Sequence, residues 1–243
     1  MRDCPPILLG HRGDLERFSS GTRESVLSAF SRADGVELDL NLSKDNIFYF
    51  YHEGDWGSAA GAVLGRERSL KEAASMAPPG ESLLTLSEGI ALAGQYGKIL
   101  LVHLEIGGGG KRWARDFGGA EIALLMKTVL ESGISSHLLF FHTVHEPKGR
   151  FVELHGFKTF YRGIPRPAYG MYRYQELKRL ADHIEAGKTL SYVINHEKEF
   201  DDIRRMGLGY VLTDRLSLGE TDQTPSMVHE RNADGPLCKE TRP

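Results

Sequence analysis

GVELDLNLSKDNIFYFYHE, residues Gly35–Glu53, reads as two short strands, Val36–Leu42 and Ile47–Tyr51, and its first half breaks the pattern of an ordinary core strand. Residues two apart on a strand share a face, so Glu37 and Asp39 point the same way. Strands of a parallel sheet covered on both sides are near-continuous apolar runs, and a pair of acids on an inward face marks a site. Two carboxylates so placed repel and call for a cation. Closely spaced oxygen ligands suit Mg2+ or Ca2+ better than Zn2+, which prefers nitrogen and sulfur. The competing reading is a solvated strand end with two surface acids.

Around this stretch, short apolar runs alternate with amphipathic segments from Ile7 to Leu218, as expected when crossover helices cover a parallel sheet. Further strands are expected at Ile7–Gly10, Ile99–Glu105, Leu138–His142, Lys158–Tyr161, Thr189–Ile194 and Tyr210–Thr213. Helices are expected at Glu24–Ala33, Leu86–Gln95, Ala120–Ser132, Tyr174–Ala186 and Glu197–Met206. Gly97, Gly187 and Gly207 follow three of them as stop signals. The fold class is α/β, a TIM-type (β/α)8 barrel, irregular around strand 6 because Arg162–Arg173 (RGIPRPAYGMYR) offers no convincing strand. Residues 1–218 are expected to form the barrel domain and 219–243, polar with scattered Gly and Pro, a C-terminal extension.

The chain has 243 residues, a net charge of −3, a hydrophobic fraction of 40% and a charged fraction of 26%. These values fit one large globular domain and provide no basic footprint for nucleic acid. Cys4 and Cys238 lack disulfide or metal spacing and are expected to be free thiols in a reducing compartment. The N-terminal apolar run is too short for a leader core or a membrane span, so a cytoplasmic location is expected. The oligomeric state is not legible in the sequence.

Three more motifs stand at strand ends, where α/β folds bind ligands. His11-Arg12-Gly13 follows ILLG, and His52 follows IFYFY. Imidazole titrates near neutral pH, so two histidines flanking a carboxylate pair suit one base and one acid. In His103-Leu104-Glu105, alternation puts His103 and Glu105 on one side, where Glu105 supplies a third oxygen to a metal at Glu37 and Asp39. Gly107–Gly110, with Lys111 and Arg112, let backbone approach a phosphate or form a plain loop. His142 either lines the mouth or is a satisfied loop residue. Tyr161 and Arg162, with Arg166 and Tyr172, offer an aromatic and basic wall for a polyol phosphate.

HRG, the helix-opening Glu24, GVELDLNLSKDNIFYFYHE, LLTLSEGIALA and GYVLTD, in that order, resemble the glycerophosphodiester phosphodiesterase family over roughly Ile7–Asp214. The resemblance implies a TIM-type barrel and a metal-dependent phosphodiesterase. It implies that His11 and His52 are catalytic, that Glu37, Asp39 and Glu105 bind Mg2+ or Ca2+, and that Arg12 contacts phosphate; Glu24 and His103 are grouped with Arg12 on the substrate side. Departures from the family pattern are Ser25-Val26 after Glu24, Gly107 in place of a lysine, Glu53 after His52, and Tyr192 in place of a tryptophan.

A small-molecule phosphodiester is the expected substrate. The metal and Arg12 neutralise its charge, one histidine protonates the leaving oxygen, and the other takes a proton from water or a neighbouring hydroxyl. His11 is assigned as base and His52 as acid. The alternatives are a sugar-phosphodiester synthase or transferase similar to agrocinopine synthases, a lyase giving a cyclic product, and a catalytically silent binding module.

Overall fold

A computed structural model of the chain describes residues 5–52, 56, 68–104, 117–163, 169–180 and 184–222. Among them eight parallel strands close a barrel: β1 (Ile7–His11), β2 (Gly35–Leu42), β4 (Ile99–His103), β5 (Leu139–Thr143), β6 (Lys158–Arg162), β7 (Gly170–Arg173), β8 (Thr189–Tyr192) and β9 (Tyr210–Thr213). β1 pairs in parallel with both β2 and β9, which completes the ring. β3 (Phe48–Phe50) lies outside it, antiparallel to the end of β2 with Leu40 opposite Phe50. This is the TIM-type architecture expected from the alternation of apolar runs.

Helices α1 (Arg23–Arg32), α3 (Leu86–Tyr96), α4 (Gly119–Ser132), α5 (Glu146–Glu153), α6 (Tyr174–Leu180) and α7 (Glu197–Met206) connect the strands, and α2 (Leu70–Ala74) precedes α3. Their ends follow local chemistry. Thr85 caps α3 in a reciprocal box with Glu88, satisfying backbone donors that the first turn leaves unpaired, and Gly97 closes it at φ 60°.

The core has two layers set by strand parity. Ile7 and Leu9 of β1, Leu101 of β4, Phe140 of β5, Phe160 of β6, Met171 of β7, Leu190 of β8 and Tyr210 and Leu212 of β9 fill the barrel interior. Their neighbours in sequence, such as Leu8, Val36, Leu38, Leu100, Val102, Leu139 and Phe141, pack outward against the helices.

The segment Arg162–Arg173 does supply a barrel strand, against the expectation. Gly170–Arg173 pairs with β6 and with β8. GMYR is too short and too poor in β-branched residues to register as a strand, and its conformation is set by partners on both sides. Two helices also escaped the sequence reading. α5 begins with a Pro in its first turn and contains Gly149, where an added Cβ would come within 2.4 Å of the Tyr161 ring. α2 is a five-residue turn behind a Ser69–Glu72 capping box. The helix expected over Tyr174–Ala186 is described only to Leu180, and 181–183 lie outside the described residues.

A seven-residue 3-10 segment, Leu216–Asp222, follows β9 and crosses the expected domain boundary. Within it Glu220 accepts from Arg32 Nε at 2.6 Å, which joins it to the barrel. Among the described residues, no helix is long and apolar enough to cross a membrane.

Candidate active site

The parity that fills the barrel interior also builds the site, because the next inward position beyond the apolar layer is polar on strand after strand. Ile7 and Leu9 lead to His11, Leu101 to His103, Phe140 to His142, Phe160 to Arg162, Leu190 to Tyr192 and Leu212 to Asp214, while β2 contributes Glu37 and Asp39. These side chains crown the core at the carboxyl ends of the strands, where TIM barrels hold their chemistry.

Register fixes who meets whom. Glu37 stands beside His11, and Asp39 beside His103, which stands beside His142. Glu37 is 2% exposed. Its Oε1 accepts from His142 Nε2 at 2.8 Å, and its Oε2 lies 3.9 Å from His11 Nε2. Asp39 Oδ1 accepts from His103 Nδ1 at 2.6 Å, and Oδ2 lies 3.4 Å from Arg12 Nε. The His103 and His142 rings stack with centroids 4.0 Å apart and planes inclined by 13°.

His11 is held from behind. Its Nδ1 donates to Asp214 Oδ1 at 2.6 Å, and Asp214 in turn accepts from Asn195 Nδ2 at 2.6 Å and donates its own backbone N–H to Asn195 Oδ1 at 3.0 Å. Burial opposes protonation of His11, but the Asp214 bond and the charge of Glu37 outweigh it and raise its pKa. Burial likewise opposes ionisation of Asp214, and the bond and charge of His11 outweigh it, lowering its pKa. For Asp39, burial is outweighed by His103, His52 and Arg12, so its carboxyl is held well below the usual carboxylate range. His142 goes the other way: burial and then the adjacent His103 push its pKa down despite Glu37.

Arg12 reaches the mouth through an uncommon backbone. Its φ is 61°, its N–H donates to Glu37 O at 2.8 Å, and Gly13 follows at φ 104°. A Cβ at Gly13 would lie 2.4 Å from Ser25 Oγ, so a side chain is excluded both by conformation and by the approach of α1. This is the physical content of the HRG motif. His52 is brought to Asp39 by the hairpin: Tyr51 N donates to Asp39 O at 3.1 Å, and Asn41 Nδ2 donates to Tyr51 O at 2.5 Å.

His11, Arg12, Glu37, Asp39, His52 and His103 are thus brought together. Arg162 lies on the same side, its guanidinium 4.9 Å from the Tyr192 ring centroid. Tyr161 does not join them; it faces α5 at Gly149, and burial followed by Glu153 raises its pKa. Glu24 sits in the first turn of α1, where its carboxylate accepts from Ser82 N at 2.7 Å and Ser82 Oγ at 3.2 Å, tying α1 to the segment before α3. Glu105, Gly107–Gly110, Lys111, Arg112, Glu53 and Arg166 lie outside the described residues. Sequence reasoning missed Asp214 and Asn195 and left His142 undecided. Counting parity from Phe140 and Leu212 would have placed His142 and Asp214 in the polar ring.

The residues fit a divalent cation. Among the described residues, Glu37 Oε2 and Asp39 Oδ2 are buried and make no hydrogen bond, and of the two only Asp39 Oδ2 faces a cation, Arg12 at 3.4 Å. One ligand atom each from Glu37, His103 and His142 lies within 4.8 Å of the others. Three carboxylates, Glu37, Asp39 and Asp214, also crowd the mouth, where Arg12 pairs with Asp39.

The barrel matches solved structures over most of its length. A glycerophosphodiester phosphodiesterase from Parabacteroides distasonis superposes with a TM-score of 0.71 at 17% identity, covering 89% of this chain and 95% of that one. One from Thermotoga maritima gives 0.70 at 21% identity, with 90% and 99% covered. A phosphodiesterase from Oleispira antarctica, solved with the product sn-glycerol-3-phosphate, gives 0.69 at 20% identity, with 89% and 96% covered. No family model and no curated protein matches the chain. At these identities the likeness establishes a shared fold.

Proposed function

We propose that this chain is a phosphodiesterase of the glycerophosphodiester type, acting on a glycerol- or sugar-type phosphodiester by acid-base catalysis between His11 and His52. The observation that carries the reading is the held state of His11. With Nδ1–H fixed on Asp214, the ring presents Nε2 to the mouth as a proton acceptor beside the carboxylates of β2. The shared fold with phosphodiesterases, one of them holding sn-glycerol-3-phosphate, supports the same substrate class.

A phosphodiester brings a negative charge and a poor alkoxide leaving group. A bound divalent cation supplies positive charge against the phosphoryl oxygens and the developing charge of the transition state. Glu37 would hold it; further acid ligands are expected from the sequence at Asp39 and Glu105, and in the structure the imidazoles of His103 and His142 stand beside Glu37. An oxygen set of that kind suits Mg2+ or Ca2+, and the two imidazoles beside Glu37 widen the choice to ions that accept nitrogen.

Arg12, braced against Asp39, offers guanidinium donors to a phosphate oxygen. His11 Nε2 takes the proton of the attacking oxygen, and the Asp214–Asn195 pair stabilises the imidazolium that results. His52, whose charge acts on Asp39, delivers a proton to the leaving oxygen. Arg162 on Tyr192 forms a basic and aromatic wall suited to a polyol phosphate. The attacking oxygen is water in a hydrolase, or a hydroxyl of the substrate or of a second sugar in a cyclising or diester-forming enzyme.

The test is product release from a panel of glycerol and sugar phosphodiesters with added divalent ions. Wild type is expected to turn over at least one of them, and His11→Ala and His52→Ala each to lose at least 100-fold, the lower range for removing a positioned acid or base. Turnover surviving in both variants would rule out the histidine pair.

A further inference from the structure

The side chains around Glu37 specify more than a divalent charge. Glu37 Oε1 and the His142 ring nitrogen are 2.8 Å apart in a buried pair, with Glu37 2% and His142 5% exposed. Among the described residues, Glu37 Oε2 is buried and finds no hydrogen-bond partner. His103 stacks on His142, with ring centroids 4.0 Å apart. A ligand atom from each of the three lies within 4.8 Å of the others, a spread that an ion bound at about 2.0–2.2 Å spans after a small closure of the set.

Asp39 plays a different part from Glu37. His103 Nδ1–H donates to Asp39 Oδ1 at 2.6 Å. That bond fixes the ring and places its lone pair on Nε2, the carboxylate-histidine arrangement that orients and strengthens a metal-binding imidazole.

We propose that Glu37, His103 and His142 form the metal site of this chain, with Asp39 positioning His103, and that the site takes a nitrogen-accepting divalent ion such as Mn2+, Co2+ or Zn2+ ahead of Mg2+ or Ca2+. Mg2+ and Ca2+ surround themselves with oxygens, whereas two of the three donors here are imidazoles. Imidazole with one carboxylate is a set that first-row transition ions accept, leaving positions open for substrate. The inference rests on the phosphodiesterase reading for what the ion is used for, but not for whether it binds.

The experiment is direct binding to chelator-stripped full-length protein, by equilibrium dialysis with Mn2+, Zn2+, Mg2+ and Ca2+ separately and by the visible absorption of added Co2+. The expected result is one tightly held transition ion per chain, with Co2+ bands shifted from those of the aqua ion. His103→Gln and His142→Gln should each weaken binding at least tenfold, and Asp39→Asn about 10- to 100-fold. His155→Ala, a change at an exposed histidine in the turn after α5, should leave it unaltered. Melting curves of the stripped proteins confirm that each variant is folded, and His103→Ala and His142→Ala stand in where a Gln variant is not.

Tighter binding of Mg2+ or Ca2+ than of Mn2+ and Zn2+, or wild-type affinity in the folded histidine variants, would overturn the proposal. Turnover assayed on the same samples separates the two claims. Transition-ion binding that depends on the histidines, with no phosphodiester consumed, supports the site and rejects the phosphodiesterase reading. Turnover with Mg2+ alone that ignores His103 and His142 does the reverse.

Discussion

Asp214→Asn keeps the shape of the residue behind His11 and removes its charge. In the native arrangement the two carboxylate oxygens accept from His11 Nδ1 and from Asn195 Nδ2, both at 2.6 Å. An amide has one acceptor oxygen and one NH2 group. If the oxygen stays with Asn195, the NH2 faces His11 Nδ1, the ring proton moves to Nε2, and the base is lost. If it turns to His11, two NH2 groups oppose each other at Asn195. A hydrogen bond involving a charged group contributes about 1.5–3 kcal/mol, and about 1.4 kcal/mol is tenfold in rate, so kcat is expected to fall roughly 10- to 150-fold. KM should change little, because Asp214 acts through His11. Initial rates on the best phosphodiester substrate, alongside melting curves, make the measurement. A folded variant with wild-type kcat, or a loss confined to KM, would refute the assignment of Asp214 as the positioning residue.

Other outcomes follow from the same geometry. Gly13→Ala places a Cβ against Ser25 at a left-handed φ and should cost roughly 2 kcal/mol or more in urea unfolding; an unchanged midpoint would contradict the account of HRG. Phe160→Ala empties a fully buried position of the barrel interior and should cost about 3–5 kcal/mol by the same method. Glu16 accepts from Arg32 and from Ser217, and these partners lower its pKa although burial opposes them. Its contribution to stability is therefore present above the unfolded glutamate pKa of about 4.3 and is lost as pH falls through the folded value. The melting-temperature gap between wild type and Glu16→Gln should be open at pH 7 and close toward pH 3, and a gap independent of pH would count against that linkage.

Much of the barrel was legible because its strands obey a simple rule. Each of the eight expected strand segments overlaps a strand of the structure, and β9 matches at both ends. The strand over Gly170–Arg173 was illegible for the complementary reason: four residues beginning with glycine carry no pattern, and their pairing is dictated by β6 and β8. α5 was hidden by Pro147 and Gly149, a start signal and a packing requirement that read as turn chemistry. At the site, strand parity made Glu37, Asp39 and His103 readable as one inward face. Asp214 and Asn195 were not, because nothing local links a β9 end and a β8 end to a histidine more than 180 residues earlier. Tyr161 shows the limit of composition: it lies next to Arg162, yet alternation turns it toward α5.

The most direct test of the central claim is a phosphorus NMR time course of the purified chain with a glycerophosphodiester and a saturating divalent ion. The diester resonance is expected to be replaced by that of a monoester, a cyclic phosphate or a new diester, and His11→Ala and His52→Ala to leave it unchanged over the same interval. A diester resonance that persists with every ion and every glycerol and sugar diester tried, in folded wild-type protein, would contradict that claim.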